Sequence, residues 1–370
     1  MNNETFYYLA LSMVPGLGTT RIHQLTRQHG GLPSNLFKLP RSQLSRCSLS
    51  DDITSWIAGG WARKSAETTL AGAQAKGIAV TSLADDVYPH LLRTIFDPPV
   101  VLYSLGDFRM AQEAAVAIVG ARRASVYGRQ VTQKLARELA ATGLVVVSGL
   151  ARGVDGFAHV GALEAGGKTV AVMGNGVDIA YPRENRKVYE RIREKGCIVS
   201  EFPIGTFPAP QNFPIRNRII SGLSYGTVIV EASEFSGSLI TARLTLEQNR
   251  ELWAVPGNIT SPGSYGPNYL IKQGARIVLD RQDVLETLPV YVLDQLQRTE
   301  PGAGQEKPEV SGLGPEEESL LGILPLDDSV PFDALLGKAK LDLPQLNQSL
   351  LRLEMKGLIR QLPGRQYCRV

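Results

Sequence analysis

The sequence predicts an α/β protein: a doubly wound parallel sheet, with a helical unit before it and a small winged-helix unit after it. Three observations carry this. Short β-branched runs recur from residue 115 onward, helical patterns separate most of them, and the flanking stretches lack that alternation. At 370 residues the chain is long for one domain. The expected division is 1–70, 71–290, a linker at 298–312 and a last unit at 313–370.

In the first unit, Leu11 to Ile22 carries two apolar helical patterns joined by Pro15-Gly16-Leu17-Gly18. The glycines permit a tight turn, and Thr19 is placed to cap the second helix. This is the outline of a helix-hairpin-helix (SAM-like) unit, which offers backbone N–H groups to a DNA phosphate. A purely structural turn between helices has the same outline. A bridge runs from Asp85 to Pro99, and Asp97-Pro98-Pro99-Val100 leads into Val101–Tyr103, an initial strand or docking arm.

The alternating section supplies strands at Val116–Val119, Leu144–Ser148, Thr169–Met173, Ile198–Glu201, Thr227–Glu231 and Leu252–Val255. Helical patterns fall at Tyr127–Ala141, Phe157–Glu164, Arg186–Lys195 and Leu239–Gln248. Right-handed crossovers put such helices on both faces of a parallel sheet. A strand at Arg276–Leu279 and a helix at Gln282–Leu288 close the domain.

Arg298 to Gly312 is rich in Pro, Gly and charge without apolar anchors, the composition of a flexible linker. Helices are then expected at Pro315–Leu324, Phe332–Ala339 and Leu343–Lys356, followed by strand, Pro363-Gly364 turn and strand. That is a winged helix, whose third helix would enter a DNA groove. Residues 311–370 carry 7 basic and 8 acidic side chains, however, so protein contact or a vestigial role competes with phosphate binding.

Composition narrows the classes. The chain is 43% hydrophobic and 20% charged, as soluble globular proteins are. No apolar run approaches the roughly 20 residues that span a bilayer, and Met1-Asn2-Asn3-Glu4 does not resemble a signal peptide, so no membrane association and a cytoplasmic location are expected. Cys47, Cys197 and Cys368 form no disulfide framework, and with His23, His29, His90 and His159 they show no metal-ligand spacing; no metal is expected. The net charge is +3, but residues 120–220 hold 15 Lys/Arg against 8 Asp/Glu, a net of +7 that leaves −4 elsewhere. A basic segment of this kind suits a phosphate or polyanion, although a solvated positive face would look the same.

The chemistry gathers where strands end. The first strand stops at Gly120 and places Arg122, Arg123 and Ser125 just past it. Ser148 and Gly149 end the second, and Gly174 and Gly176 follow the third, with Tyr181-Pro182-Arg183 beyond them. The fourth leads through a loop to Phe213-Pro-Ile-Arg216-Asn217-Arg218. After the fifth, Ser236-Gly237-Ser238 opens the helix that carries Thr241, with Ser238 a suitable N-cap. Ligands of open α/β sheets bind at the carboxyl ends of strands. Glycines there admit a ligand to the backbone, arginines fork onto phosphates, and helix N-termini favour anions. Arg122 and Arg183 would flank one groove, with Gly120, Gly149 and Gly174 as its floor. Tyr181, Phe207 and Phe213 could stack bases or pack in the core.

Several enzymatic readings lose their warrant. The first strand–helix turn is Gly-Ala-Arg-Arg-Ala-Ser, not G-x-G-x-x-G, and no acidic residue ends the second strand. No nicotinamide, flavin or other cofactor is expected, and no P-loop is present. No nucleophile–base–orienter trio stands out; Asp155 and His159, one helical turn apart, read as structural. Catalytic residues are therefore not assigned. By these residues alone the phosphate could belong to a nucleotide, a metabolite or a polynucleotide.

The motifs in order resemble the DNA-processing protein A (DprA/Smf) family. They are Ile118-Val-Gly-Ala-Arg122, Val147-Ser-Gly-Leu-Ala-Arg-Gly-Val-Asp155, Ala171-Val-Met-Gly-Asn-Gly-Val-Asp178, Tyr181-Pro-Arg-Glu-Asn185, Phe213 to Gly222, Ser236-Gly-Ser-Leu-Ile-Thr-Ala242 and Ala254-Val-Pro-Gly257. The resemblance spans about residues 115–285. It implies a Rossmann-like sheet domain that dimerises, and a non-enzymatic bacterial protein. Such a protein binds single-stranded DNA during natural transformation (competence), protects it and loads RecA; single-strand-binding protein is a further candidate partner. It implies DNA contact by Arg122, and by Arg183 at a position where relatives often have lysine. A related Rossmann-like family of phosphoribohydrolases is the enzymatic alternative, but its P-G-G-x-G-T-x-x-E motif has no counterpart at Ser236–Ala242. A nucleotide-sensing adaptor is a third reading.

Overall fold

The structure is a computed structural model that describes residues 2–299, 314–325, 329–339, 341–356, 358–362 and 364–369. It forms two compact units: one of residues 1–123 and 132–298, the other of residues 124–131 and 299–370. The linker expected over 298–312 lies outside the described residues from 300 onward.

The larger unit is organised by a nine-stranded sheet. Its strands are β1 (Ala79–Ser82), β2 (Val101–Gly106), β3 (Ala115–Val119), β4 (Val145–Ser148), β5 (Thr169–Val172), β6 (Cys197–Ser200), β7 (Gly226–Ile229), β8 (Glu251–Ala254) and β9 (Arg276–Ile277). Their order is β1-β2-β6-β5-β4-β3-β7-β8-β9. All pairs from β6 to β9 are parallel, as expected. Numbered from β3, the parallel strands run 4-3-2-1-5-6-7, the Rossmann 3-2-1-4-5-6 order with one strand more in its first half. An antiparallel extension flanks the parallel part. The Val101–Tyr103 strand is β2, and it pairs antiparallel with both β6 and β1.

Alternation along the strands buries both faces. Ala117, Val119, Val170, Val172, Cys197 and Val199 enter one apolar cluster; Ala171, Met173 and Ile198 enter the other. Side chains of a strand point to opposite faces by turns, so continuous β-branched runs fill two cores at once. The second cluster also takes in Leu9, Leu11, Ile22 and Leu25 from the N-terminal helices Asn3–Ser12 and Thr19–Gln28. The turn between those helices is as tight as expected, with Gly16 at φ 78°. Its cap is not: Gly18 holds the N-cap position and Thr19 begins the helix.

Two helices run where the sequence reading assigns none: Asn212–Gly222 and Tyr265–Lys272. Both carry proline at the third helical position, Pro214 and Pro267. The first N–H groups of a helix have no intrahelical partner, so proline there costs no hydrogen bond. Gly226 opens β7 under the indole of Trp253; a Cβ at this position would overlap the ring.

The smaller unit holds helices Pro315–Ile323, Phe332–Lys338 and Leu343–Met355 with a three-stranded antiparallel sheet. That sheet joins β10 (Val330–Pro331), β12 (Gln366–Arg369) and β11 (Ile359–Leu362) in this order. It is the expected winged helix with one short strand more. Leu320, Leu335, Leu346, Leu353, Ile359 and Tyr367 form its core. The third helix begins on a reciprocal cap between Asp342 and Gln345.

His159 sits fully buried on the helix Val154–Glu164. Thr169 Oγ1 donates to the Val146 carbonyl at 2.7 Å, so it accepts from His159 Nδ1, also at 2.7 Å. Nε2 is left buried without a partner among the described residues. Burial, reinforced by the Arg216 charge, lowers the imidazole pKa from 6.5 to about 3. The folded protein refuses a proton that the unfolded chain takes below pH 6.5, so this group's stability is complete above 6.5 and declines toward pH 3. Urea unfolding of the wild type and His159→Gln across pH should show their difference level above 6.5 and shrinking below it. A pH-independent difference would contradict the burial of a neutral ring.

Candidate functional site

β3 is the point at which the strand order reverses. The chain runs through β4, β5 and β6 on one side, then returns to β7 on the other. Loops leaving β3 and β7 diverge at such a point and leave a crevice beyond the strands. A cleft of about 530 Å³ opens here. It is walled by Val119–Arg123 after β3, by Ser233 and Ser236–Ser238 after β7, and by Phe213, Arg216 and Asn217 of the helix Asn212–Gly222.

Arg216 forms the floor. It is 4% exposed, and its Nη1 donates to the Gly149 carbonyl at 2.7 Å and to the Val172 carbonyl. Burial draws its pKa down from 12.5 to about 10; Asp155 opposes the fall and Arg122 deepens it, so the group stays charged at neutral pH. Asp155, at the start of the helix Val154–Glu164, is buried in the same floor and accepts from the Gly149 N–H at 3.2 Å. Burial raises its carboxyl pKa, against the pull of Arg216 and the backbone amides. Gly149 is required by this packing, because a Cβ there would overlap the Arg216 guanidinium. Gly174 has a similar constraint: a Cβ would meet the Phe213 ring at 2.8 Å.

Phe213 joins the walls. The exposed Arg122 guanidinium lies 5.6 Å from its ring centroid and Arg216 lies 6.0 Å from it, both within cation–π range. Tyr181, 39% exposed, stacks on the same ring at 5.8 Å. A smaller recess of about 60 Å³ adjoins the cleft, sharing Arg122, Ala151, Phe213 and Arg216 and adding Gly149, Gly174, Asn175, Tyr181 and Pro182. Within it, Asn175 donates to the carbonyls of Gly176 and Ile179, and its Oδ1 is buried without a partner among the described residues.

The third wall is a helix N-terminus. Ser236, not Ser238, is the N-cap of the helix Gly237–Glu247, and its Oγ accepts from the Ser238 N–H. Ser236 and Ser238 hydroxyls lie 2.7 Å apart. Gly237, Ser238 and Thr241 line the cleft, so the positive end of the helix dipole faces it.

Of the residues singled out from sequence, the cleft therefore gathers Gly120, Arg122, Arg216, Asn217, Ser236, Gly237, Ser238 and Thr241; Gly149 and Gly174 line the recess. Arg183 is exposed, directly follows the recess residue Pro182, and makes no ion pair among the described residues. Others stand elsewhere. Ser148 is fully buried and donates to the Ile118 carbonyl at 2.6 Å, fastening β4 to β3. Gly176 is buried and donates to the Thr206 carbonyl, holding the loop after β5. Ser125 accepts from the Gly128 N–H at the head of the helix Val126–Ala141. Arg218 turns away from the cleft and pairs with Glu201 at 2.5 and 2.7 Å and with Asp97 at 3.5 Å. Arg123 and Ser233, both at strand ends in the sequence, line the cleft as well; sequence reasoning missed Asp155 as its buried carboxylate. The helical-turn offset of Asp155 from His159 was visible; its burial was not.

Fold and site define a Rossmann-like protein with an arginine- and amide-walled cleft at its switch point and a winged helix at its end. The family model for DNA recombination-mediator protein A matches residues 79–289, and that for the DprA winged helix domain matches 304–365. The chain is 38% identical to Protein Smf of Escherichia coli, over 82% of this chain and 80% of that one. It is 42% identical to DNA processing protein DprA of Bacillus subtilis, over 63% and 77%. The crystal structure of DNA processing protein A from Streptococcus pneumoniae superposes with a TM-score of 0.67 at 32% identity, over 78% of this chain and 99% of that one. A structure of DNA processing protein A from Helicobacter pylori, described for its single-stranded DNA binding mode, matches with a TM-score of 0.51 at 35% identity, over 56% and 94%. The chain belongs to the DNA recombination-mediator protein A (DprA/Smf) family.

The two kinds of arginine predict different losses. Arg218→Ala leaves the Glu201 carboxylate, 12% exposed, without its partner. Urea unfolding should register a loss of about 3–5 kcal/mol. Arg122→Ala, on an exposed side chain, should stay within about 0.5 kcal/mol of the wild type. Equal losses would contradict the placement of either residue.

Proposed function

We propose that the switch-point cleft grips the sugar-phosphate backbone of single-stranded DNA, and that the protein is a non-enzymatic mediator. It protects incoming strands and loads RecA onto them during natural transformation, in the cytoplasm and as a homodimer, with single-strand-binding protein as a further partner. The observation that carries this is the convergence of the exposed Arg122 guanidinium, the buried Arg216 charge and the helix N-terminus at Gly237 and Ser238 on one cleft. Charge-assisted contacts of this kind hold phosphate without reading bases. The +7 charge of residues 120–220 supports a polyanion over a single metabolite. The Helicobacter pylori relative's single-stranded DNA binding mode supports the choice of strand. The carboxylate and imidazole nearest the cleft floor, Asp155 and His159, are buried in structural roles, which supports mediation rather than catalysis. For the homodimer, support comes from β9, an edge strand among the described residues, where Ile277 stands 47% exposed and Leu279, two residues beyond it, 73%. No helix of the described residues is long and apolar enough to cross a membrane.

Fluorescence anisotropy with labelled oligothymidylate and a matched duplex tests the reading across salt concentrations. The wild type should prefer the single strand and weaken steeply with salt. Arg122→Glu and Arg183→Glu should each lose about tenfold or more in affinity, since a hydrogen bond to a charged group is worth roughly 1.5–3 kcal/mol. The slope of log affinity against log salt should become shallower by about 0.7 for each phosphate that the variant no longer neutralises. Wild-type affinity in both variants would overturn the groove.

A further inference from the structure

Phe235 stands 92% exposed on the loop between β7 and the helix Gly237–Glu247. Its chain neighbours belong to the cleft. Ser233, two residues before it, and Ser236, one after it, both line the walls. The loop is tied down by its backbone: Ser236 N–H donates to the Ser233 carbonyl at 3.0 Å, and Ala232 N–H donates to the Gly263 carbonyl at 2.7 Å. A large apolar ring is therefore held in water, on a hydrogen-bonded turn, beside the N–H groups proposed to take a phosphate. No ring or cation contact among the described residues occupies it.

We propose that Phe235 is a nucleobase-stacking station of this cleft, a subsite that makes it select an unpaired strand over a duplex. The inference rests on the single-strand reading above. A nucleotide whose phosphate sits at Ser236–Ser238 carries its base within reach of a side chain on the adjoining residue. Every base has a π-face, so stacking on Phe235 tolerates any sequence. A duplex keeps its faces stacked inside and offers Phe235 none. A second aromatic station, Tyr181 on Phe213 at 5.8 Å, borders the cleft and its recess. Charge complementarity favours this occupant over an apolar protein surface, because the same walls carry Arg122 and Arg123.

The experiment measures binding of the full chain to oligothymidylate, to an abasic strand of equal length and to a duplex. Phe235→Ala should weaken oligothymidylate binding about 5- to 150-fold, the range that one stacked base supplies. Phe235→Trp should restore it. Abasic-strand and duplex affinities should be unchanged by Phe235→Ala, and the salt slope should hold because every phosphate donor remains in place. Equal weakening for abasic and normal strands would overturn the proposal and point to a protein-facing or structural ring. Unchanged oligothymidylate affinity in Phe235→Ala, while Arg122→Glu still weakens it, would sink the stacking station and leave the groove standing. Failure of the wild type to bind any strand would sink the groove itself, and the station with it.

Discussion

The cleft depends on one buried cation. Arg216 reaches from the helix Asn212–Gly222 under the ends of β4 and β5 and donates to the carbonyls of Gly149 and Val172. A charged group can stay in such a place only if hydrogen bonds and an opposite charge offset its lost hydration. Here two carbonyls supply the first and Asp155 the second. Gly149 must then be glycine, because the guanidinium occupies the space a Cβ would need. Phe213, one turn before Arg216 on the same helix, is set in place to carry Arg122 and Tyr181. Binding chemistry at the rim thus rests on packing chemistry beneath it.

Division of labour between arginines follows from burial. Arg122 is exposed and free of ion pairs among the described residues, so its donors are available to an incoming anion. Arg216 contributes charge from below but spends Nη1 donation on the backbone. Arg218 spends its charge on Glu201 and Asp97 and fixes the outer side of the same helix. Three arginines within a span of residues rich in positive charge therefore do three different things, and of the three the first is the one that lines the cleft from an exposed position. On the proposed reading, electrostatic attraction gathers the polyanion, while the committed pairs hold the cleft's shape.

Much of this was legible in the residues. The β-branched runs fix strands because they suit a sheet covered on both faces, and the glycine-and-arginine strand ends mark its carboxyl edge. The helix Asn212–Gly222 was not legible, because Pro214 reads as a breaker unless its place in the first turn is known. Arg216 and Arg218 could not be told apart for the same reason: without the helix there is no way to see that they leave it in different directions. Ser148 reads as a ligand from its strand-end position, yet the tight approach of β3 and β4 turns its hydroxyl onto the Ile118 carbonyl. The caps at Gly18 and Ser236 each lie one or two residues before the position that side-chain chemistry suggested, a shift that backbone geometry decides. Phe235 carries no signal in sequence at all, since exposure is a property of the folded loop.

The central claim is that the backbone of a single strand lies in the cleft at the β3–β7 reversal, above an unmoved Arg216. A crystal structure of the full chain with a short oligothymidylate tests it most directly. It should show phosphate oxygens within hydrogen-bond distance of the Arg122 guanidinium and the N–H groups of Gly237 or Ser238, with the Arg216 bonds to Gly149 and Val172 intact. A strand bound elsewhere on the chain with this cleft empty, or an Arg216 that swings out to meet it, would contradict the account.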